Sequence, residues 1–435
     1  MRYTNRISSF YTTVTCFVFA TSLFVTVLGA TEADQHAGPE RGATCNEQAN
    51  ADAGRELRET TQPSTAEGLT QALRSLKSKL DALDATCDAR PAILTRMAGY
   101  QFQLRNFTDA ADSSVAALSV AAVERKLSLE EIGLNHFLLG TIYNARGRYF
   151  DAIREQVKAA EAFGRSGKQN RGRIARVYSD LALLEINTGD LKSAERYLNK
   201  SAAIAESSDT ISATDKLLVL DAIAHFEYER GRLTDADHTL SKIVRSYGSS
   251  TAVSASLRAH VYRDYGELSI ATGNLDEAMG HLQKSAALAR AEPVPGNLAL
   301  SLAMLGNVYF QQGQLNSAEQ LYREACDNVG RDASEVPGNA AIVYAVYGSY
   351  LHSCRRWRES RTHLQRALQL ARESGKNQPL EANCFSKLAD AAHHLHIKDE
   401  ERSMRSKAKE LAAGFRPGTN GDLTVDLLSL RQGQH

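Results

Sequence analysis

The stretch LLGTIYNARGRYFDAI, running from Leu138 to Ile153, returns as MLGNVYFQQGQLNSAE between Met304 and Glu319. Both copies place a large residue before a small one (Leu139-Gly140, Leu305-Gly306), then Tyr143 or Tyr309. A second glycine follows at Gly147 or Gly313, then Tyr149 or Leu315, then Ala152 or Ala318. Outward from these copies, the first small residue recurs at Ala98, Gly140, Ala182, Ala224, Gly266, Gly306, Gly348 and Ala389. Twelve positions after each stands Ala110, Ala152, Ala194, Ala236, Ala278, Ala318, Ser360 or Glu401, at successive intervals of 42, 42, 42, 42, 40, 42 and 41. A repeat at fixed period whose chemistry also recurs is the sequence form of a solenoid, in which each unit buries its apolar face only against its neighbours.

Each recurring position has a physical reason. The two small residues let antiparallel helices approach where larger side chains would hold the backbones apart. Gly147, Gly189, Gly231, Gly273 and Gly313 stand where the chain must turn, and glycine takes the left-handed conformation that ends a helix. Pro295, Pro337 and Pro379, spaced by 42, suit the first turn of a leading helix, which can spare a backbone donor. Ser128 with Glu131 and Ser212 with Asp215 form capping pairs at two further helix starts.

The order Leu139-Gly140-x-x-Tyr143, Gly147, Tyr149, Ala152, Ala159, repeated as Leu305-Gly306-x-x-Tyr309, Gly313, Leu315, Ala318, Tyr322, Ala325, resembles the tetratricopeptide repeat. The period of about 42 exceeds the usual value of about 34 and overlaps that of HEAT and armadillo arrays, so the residue order decides rather than the period. The longer unit is similar to the variant found in kinesin light chains and some bacterial regulators. The resemblance implies an all-α fold, a right-handed α-α superhelix of about eight hairpins over residues 91–415. The last hairpin departs from the pattern, with His396 at the turn and Glu401 for alanine, as suits an array end facing water.

The flanks read differently. Arg2 and Arg6 precede an uncharged run from Ile7 to Thr31, whose most apolar part ends at Gly29 and Ala30. This is the layout of a secretory signal cleaved after Ala30, with an uncleaved anchor as the alternative. In both cases Arg2 and Arg6 stay inside, so the remainder is expected to be exported, periplasmic or extracellular. Residues 31–65 contain too few large apolar side chains to offset ordering entropy and read as a linker. Leu69, Leu73, Leu76, Leu80, Leu83 and Cys87 share one helical stripe, predicting a capping helix over 66–90. Residues 416–435 form a short tail whose apolar stretch, Leu423 to Leu430, can fold back on the last hairpin.

Composition narrows the function. The 51 Lys and Arg balance the 51 Asp and Glu, leaving no net positive field for nucleic acid. No phosphate loop, dinucleotide fingerprint, zincin helix or nucleophile elbow is present. No cofactor and no reaction are expected. The cluster His393-His394-x-His396 lacks a nearby carboxylate or cysteine in the sequence and reads as an exposed helix end. Cys326, Cys354 and Cys384 fall on helices too far apart to pair and read as small buried hydrophobes. Cys45 and Cys87 both precede the array, where an oxidising compartment permits their pairing; a free Cys87 packed in the stripe is the other reading.

In tetratricopeptide arrays the leading helices line a concave face and contact the ligand. Carried over residue by residue, the resemblance implies a groove of Thr141, Asn144, Arg176, Asn187, Asp221, His225, Tyr228, His260, Arg263, Glu267, Asn307, Phe310 and His352. The two-carboxylate clamp of chaperone-binding arrays is not reproduced. Aromatic rings among hydrogen-bonding groups suit an extended peptide. The expected function is a non-catalytic scaffold holding a protein or peptide partner. The alternatives are a peptide sensor that changes superhelical shape, and a metal or enzyme site built on His225, His260 and Glu267.

Overall fold

A computed structural model describes residues 65–414, apart from short gaps at 84–86, 105, 125–126, 147, 168–169, 208–210, 293, 295, 333–336 and 375–377. The leader, nearly all of the expected linker, Cys45, Gly147, Pro295 and the tail from 415 lie outside the described residues. Among the described residues there are seventeen helices and no strand. They are α1 (Ala66–Ala82), α2 (Ala89–Gln103), α3 (Phe107–Glu124), α4 (Leu129–Ala145), α5 (Tyr149–Ser166) and α6 (Arg171–Thr188). There follow α7 (Leu191–Glu206), α8 (Ala213–Glu229), α9 (Leu233–Tyr247), α10 (Ala255–Ala271), α11 (Leu275–Ala291) and α12 (Asn297–Gln311). The last five are α13 (Leu315–Asp332), α14 (Pro337–Ser353), α15 (Trp357–Ser374), α16 (Gln378–His394) and α17 (Lys398–Gly414). None of the described helices is long and apolar enough to cross a membrane.

The chain divides into two compact units. The smaller holds the described parts of Phe19–Tyr143 and Phe150–Tyr178; the larger holds those of Asn144–Tyr149 and Ser179–His435. In the smaller unit α1 packs on α2, and α2 pairs with α3. Leu69, Leu76, Leu83 and Cys87 of the predicted stripe are buried there with Ile93, Met97 and Tyr100. Cys87 is fully buried and disulfide-bonded.

The larger unit repeats one motif. α8 pairs with α9, α10 with α11, α12 with α13, α14 with α15 and α16 with α17. The leading helices α10, α12, α14 and α16 also touch one another in succession. This is the α-α solenoid arrangement, and its core runs continuously from Ile270 to Leu388. Burying each Leu or Phe in such a core contributes roughly 1.5–3 kcal/mol. The small residues sit at the helix crossings as expected. Ala182, Ala194, Ala236, Ala278, Ala318 and Ser360 have no exposed surface. A Cβ on Gly266, Gly306 or Gly348 would lie 2.5–2.8 Å from Leu282, Tyr322 or Leu364, each sixteen positions further along (266 to 282, 306 to 322, 348 to 364). Gly140 meets Gln156 at the same spacing in the smaller unit. Ser360 Oγ donates to the carbonyl of Gly348 at 2.8 Å, tying the two small positions of one hairpin together.

Helix ends follow local chemistry. Ser212 accepts from the Asp215 amide, Ser254 from Leu257, and Asp190 from Ser193. Ser128 and Glu131 bond reciprocally, closing the expected box. Pro337 is the first residue of α14 and Pro379 the second of α16. Gly189, Gly231, Gly273 and Gly313 take φ between 71° and 86°. The register continues onto Arg355 (φ 58°) and His396 (φ 61°), two residues for which this conformation is strained. Cys326, Cys354 and Cys384 are free, the first and last buried and Cys354 only partly so. Burial pushes the Cys326 and Cys384 thiols up to about 12.

Candidate functional site

Three helices of the larger unit meet around one narrow pocket. It is lined by Asp221, Ala224, His225 and Tyr228 of α8, Leu240 of α9, and Asp264, Glu267 and Leu268 of α10. Ala224 is the small crossing residue of its repeat, so the backbone of α8 comes close enough for its polar side chains to reach α10. The cavity volume is about 20 Å³, room for one small group.

Its floor is an ionic trio. His260 Nε2 lies 3.3 Å from Asp221 Oδ2 and 3.1 Å from Asp264 Oδ2. Arg263 donates to His260 Nδ1 and reaches Asp264 Oδ1 at 3.4 Å. A guanidinium only donates, so Nδ1 accepts and the ring hydrogen stands on Nε2, facing both carboxylates. Burial opposes charging of this ring, Asp264 and Asp221 favour it, and the net direction is upward. Arg263 against Nδ1 opposes a second proton there, which places the first ring hydrogen on Nε2. Burial alone would push the Asp264 carboxyl up; His260 and Arg263 outweigh it and hold it down to about 2.

The rim carries more acid than base. His225 Nε2 is 3.8 Å from Glu229 Oε1 and makes no hydrogen bond. Glu267 is partly exposed in the pocket wall. Burial, then the neighbouring charges of Asp264 and Glu229, raise its carboxyl well above the ordinary range against the opposing effect of Arg263.

Asp221, His260 and Asp264 offer donor atoms within 4.8 Å of one another, the span of a metal site. The donor set does not fit one. A cation would have to displace the hydrogen of Nε2 while Arg263 keeps its own positive charge against Nδ1 and Asp264. The trio with Arg263 is a buried ion cluster in which Asp221 Oδ1 is left without a donor. The alternative reading of His225, His260 and Glu267 as a metal set meets the same obstacle at His260.

Of the groove residues expected from the sequence, the structure brings Asp221, His225, Tyr228, His260, Arg263 and Glu267 to this one place. The rest are dispersed. Asn307 accepts a 2.6 Å hydrogen bond from the Tyr322 hydroxyl, and Phe310 packs edge-on against Tyr350 with centroids 5.4 Å apart. Both are buried in the core, a correction to their reading as outward positions. Asn307 is turned towards α13 of its own hairpin, and the face of α12 that carries Phe310 is covered by the next leading helix, α14. Thr141 and Asn144 are buried, and Arg176 is buried with its guanidinium over the Phe137 ring. Asn187 is partly exposed, and His352 is partly exposed beside Trp357, ring centroids 5.0 Å apart. His393 pairs with Glu401 at 3.1 Å, and His394 stacks on Trp357 at 4.1 Å. Sequence reasoning missed Asp264, Glu229 and Leu240. Asp264 was findable, standing four residues after His260 on one helical face.

The tetratricopeptide repeat family model matches residues 131–207 and 257–329. None of the curated proteins matches the chain. Among solved structures, a Rap protein complexed with Competence and Sporulation Factor superposes with a TM-score of 0.56 at 14% identity, covering 85% of this chain and 99% of that one. The apo quorum sensor NprR from B. thuringiensis gives 0.55 at 15%, covering 84% and 98%. NprR in complex with its cognate peptide NprX gives 0.55 at 14%, covering the same shares. At these identities the likeness is one of fold.

Proposed function

With the chain thus a tetratricopeptide-repeat protein, we propose that it is a scaffold without a reaction of its own that binds a protein or peptide segment at the α8–α10 pocket. The observation that carries this reading is the pocket itself. It has a buried ionic floor, apolar walls at Ala224, Leu240 and Leu268, and a polar rim of Glu267 and of His225, whose Nε2 makes no hydrogen bond. A floor already ion-paired stays put on binding, so the rim can select without the helices rearranging. Tyr228 at the edge supplies an aromatic surface of the kind that anchors interfaces. Two proteins of the same fold support the reading: Rap is complexed with Competence and Sporulation Factor, and NprR with its cognate peptide NprX. The leader read from Arg2 to Ala30 adds that binding takes place outside the cytoplasm.

The test is site-specific photocrosslinking in native cells. A benzophenone replacing Tyr228 is compared with one replacing Phe150, which is 79% exposed and far from the pocket in sequence. One dominant adduct from position 228, absent from position 150, is the expected result. Equal adducts, or none from 228, would sink the proposal. Arg176, His260 and Arg263 are each only 1% exposed, so substituting them tests folding rather than binding.

A further inference from the structure

The pocket leaves acceptor atoms unused, and they point to the chemistry of what enters it. Asp221 is 2% exposed and gives Oδ2 to His260, yet its Oδ1 has no hydrogen-bond donor. A buried carboxylate oxygen left unsatisfied costs roughly 1–3 kcal/mol, so its retention calls for an explanation. Glu267 enters no hydrogen bond or ion pair among the described residues. His225 Nε2 is a third atom without a hydrogen bond. All three residues line the same narrow space.

We propose that this pocket takes a primary ammonium group, from a lysine side chain or the free N-terminus of the bound segment, at the acceptors of Asp221 and Glu267. The inference rests on the reading of this site as a peptide-binding one and names the group recognised. Three arguments favour an ammonium. Its compact charge with three hydrogens matches a space of about 20 Å³ with acceptors on two helices, whereas a planar guanidinium needs a wider slot. The flanking Ala224, Leu240 and Leu268 are suited to an aliphatic stem. The local charge is also negative: Asp221, Asp264 and Glu229 gather here, with Arg263 beside Asp264.

Proton balance gives the site a signature. The titratable and charged groups around Glu267 are Asp264 and Arg263 on α10 and Asp221, His225, Tyr228 and Glu229 on α8, while α9 contributes Leu240 to the lining. Burial and this acidic surrounding raise the Glu267 carboxyl well above the ordinary range, so the folded chain favours its protonated form. An arriving ammonium stabilises the ionised form, so that proton leaves as the cation enters. Binding is therefore expected to tighten as pH rises above the ordinary carboxylate range.

The experiment uses the purified full chain and a hexapeptide library, followed by fluorescence anisotropy on the selected peptide. That peptide is made in three forms: parent, N-terminally acetylated, and acetylated at lysine Nζ. One of the two acetylations should weaken binding at least tenfold, which identifies the source of the ammonium. In Glu267→Gln that loss should shrink to twofold or less, and Asp221→Asn should behave likewise. Glu267→Gln takes nothing from the ionic trio, so it decides the matter if Asp221→Asn does not fold. Selected peptides that bind equally well in all three forms would overturn the ammonium assignment and leave peptide binding standing. A library from which nothing is selected would overturn both.

Discussion

Asp221 of α8 and His260 of α10 meet with Oδ2 and Nε2 3.3 Å apart, although a whole second helix, α9, separates them in the chain. The contact exists because successive leading helices of the array lie side by side. It places a buried carboxylate beside a ring whose other nitrogen is held by Arg263. The acid surplus that bears on Glu267 comes from Asp264 on its own helix and from Glu229 of α8.

Glu267 is expected to report this surplus through stability. Its carboxyl is raised well above the ordinary range, so folding favours its protonated form. The sign follows from linkage: its contribution is fully present below the unfolded value near 4.5 and is lost as pH rises through the folded value. Glu267→Gln keeps the uncharged shape and does not titrate. The variant should match wild type near pH 4 and exceed it at pH 8. The gain is roughly 1 kcal/mol after allowing for partial exposure, about 2–4 °C in Tm. Thermal melts at both pH values check this, and equal melting temperatures at pH 8 would count against the raised carboxyl.

In the smaller unit Glu155 behaves in the opposite sense. Burial would raise its carboxyl, but His136 at 2.7 Å and Lys158 at 2.9 Å hold it down to about 2. A lowered value stabilises the fold above about 4.5 and ceases to do so as pH falls through 2. Glu155→Gln should cost on the order of 2 kcal/mol at pH 7, with the difference fading towards pH 2. Urea titrations at pH 7 and pH 3 measure it.

Two glycines in helices should respond in opposite directions. Gly306 faces Tyr322, where a Cβ would lie 2.8 Å from the ring, so Gly306→Ala should destabilise by about 1–3 kcal/mol. Gly280 on α11 is exposed with nothing within 4 Å, so Gly280→Ala should stabilise by about 0.5–1 kcal/mol. Denaturant midpoints of the pair decide whether close approach, rather than backbone freedom, explains the small-residue series.

The turn register supplies a further prediction. Arg355 occupies the place held by glycine in four earlier turns, at φ 58°. Arg355→Gly should relieve the left-handed penalty and raise stability by about 1 kcal/mol. A lower Tm would show instead that the arginine side chain contributes more than the conformation costs.

How much of this was legible in the sequence can be seen at particular residues. The crossings at Ala182, Gly266 and Ala318 were readable because close packing admits only small side chains, a demand that recurs at every repeat. The turn at Gly313 was readable for the same reason, and Arg355 escaped notice because a strained arginine carries no compositional mark. Asp221, His225, Tyr228, His260, Arg263 and Glu267 were readable as positions on leading helices. Their meeting was not, because it depends on how far each helix is rotated against the next.

The same rotation separates what the chain determined alone from what only the tertiary structure decided. Periodicity and residue size determined the helical hairpins, their pairing and the solenoid class, since those rest on local turns and on contacts between neighbours in sequence. The tertiary structure decided that Asn307 and Phe310 belong to the core while Glu267 stands in a pocket wall. It also decided that His260 is claimed by two carboxylates and a guanidinium, leaving Asp221 Oδ1 with no donor. Burial and proton affinity are properties of surroundings, and surroundings drawn from three helices are not written in any one of them.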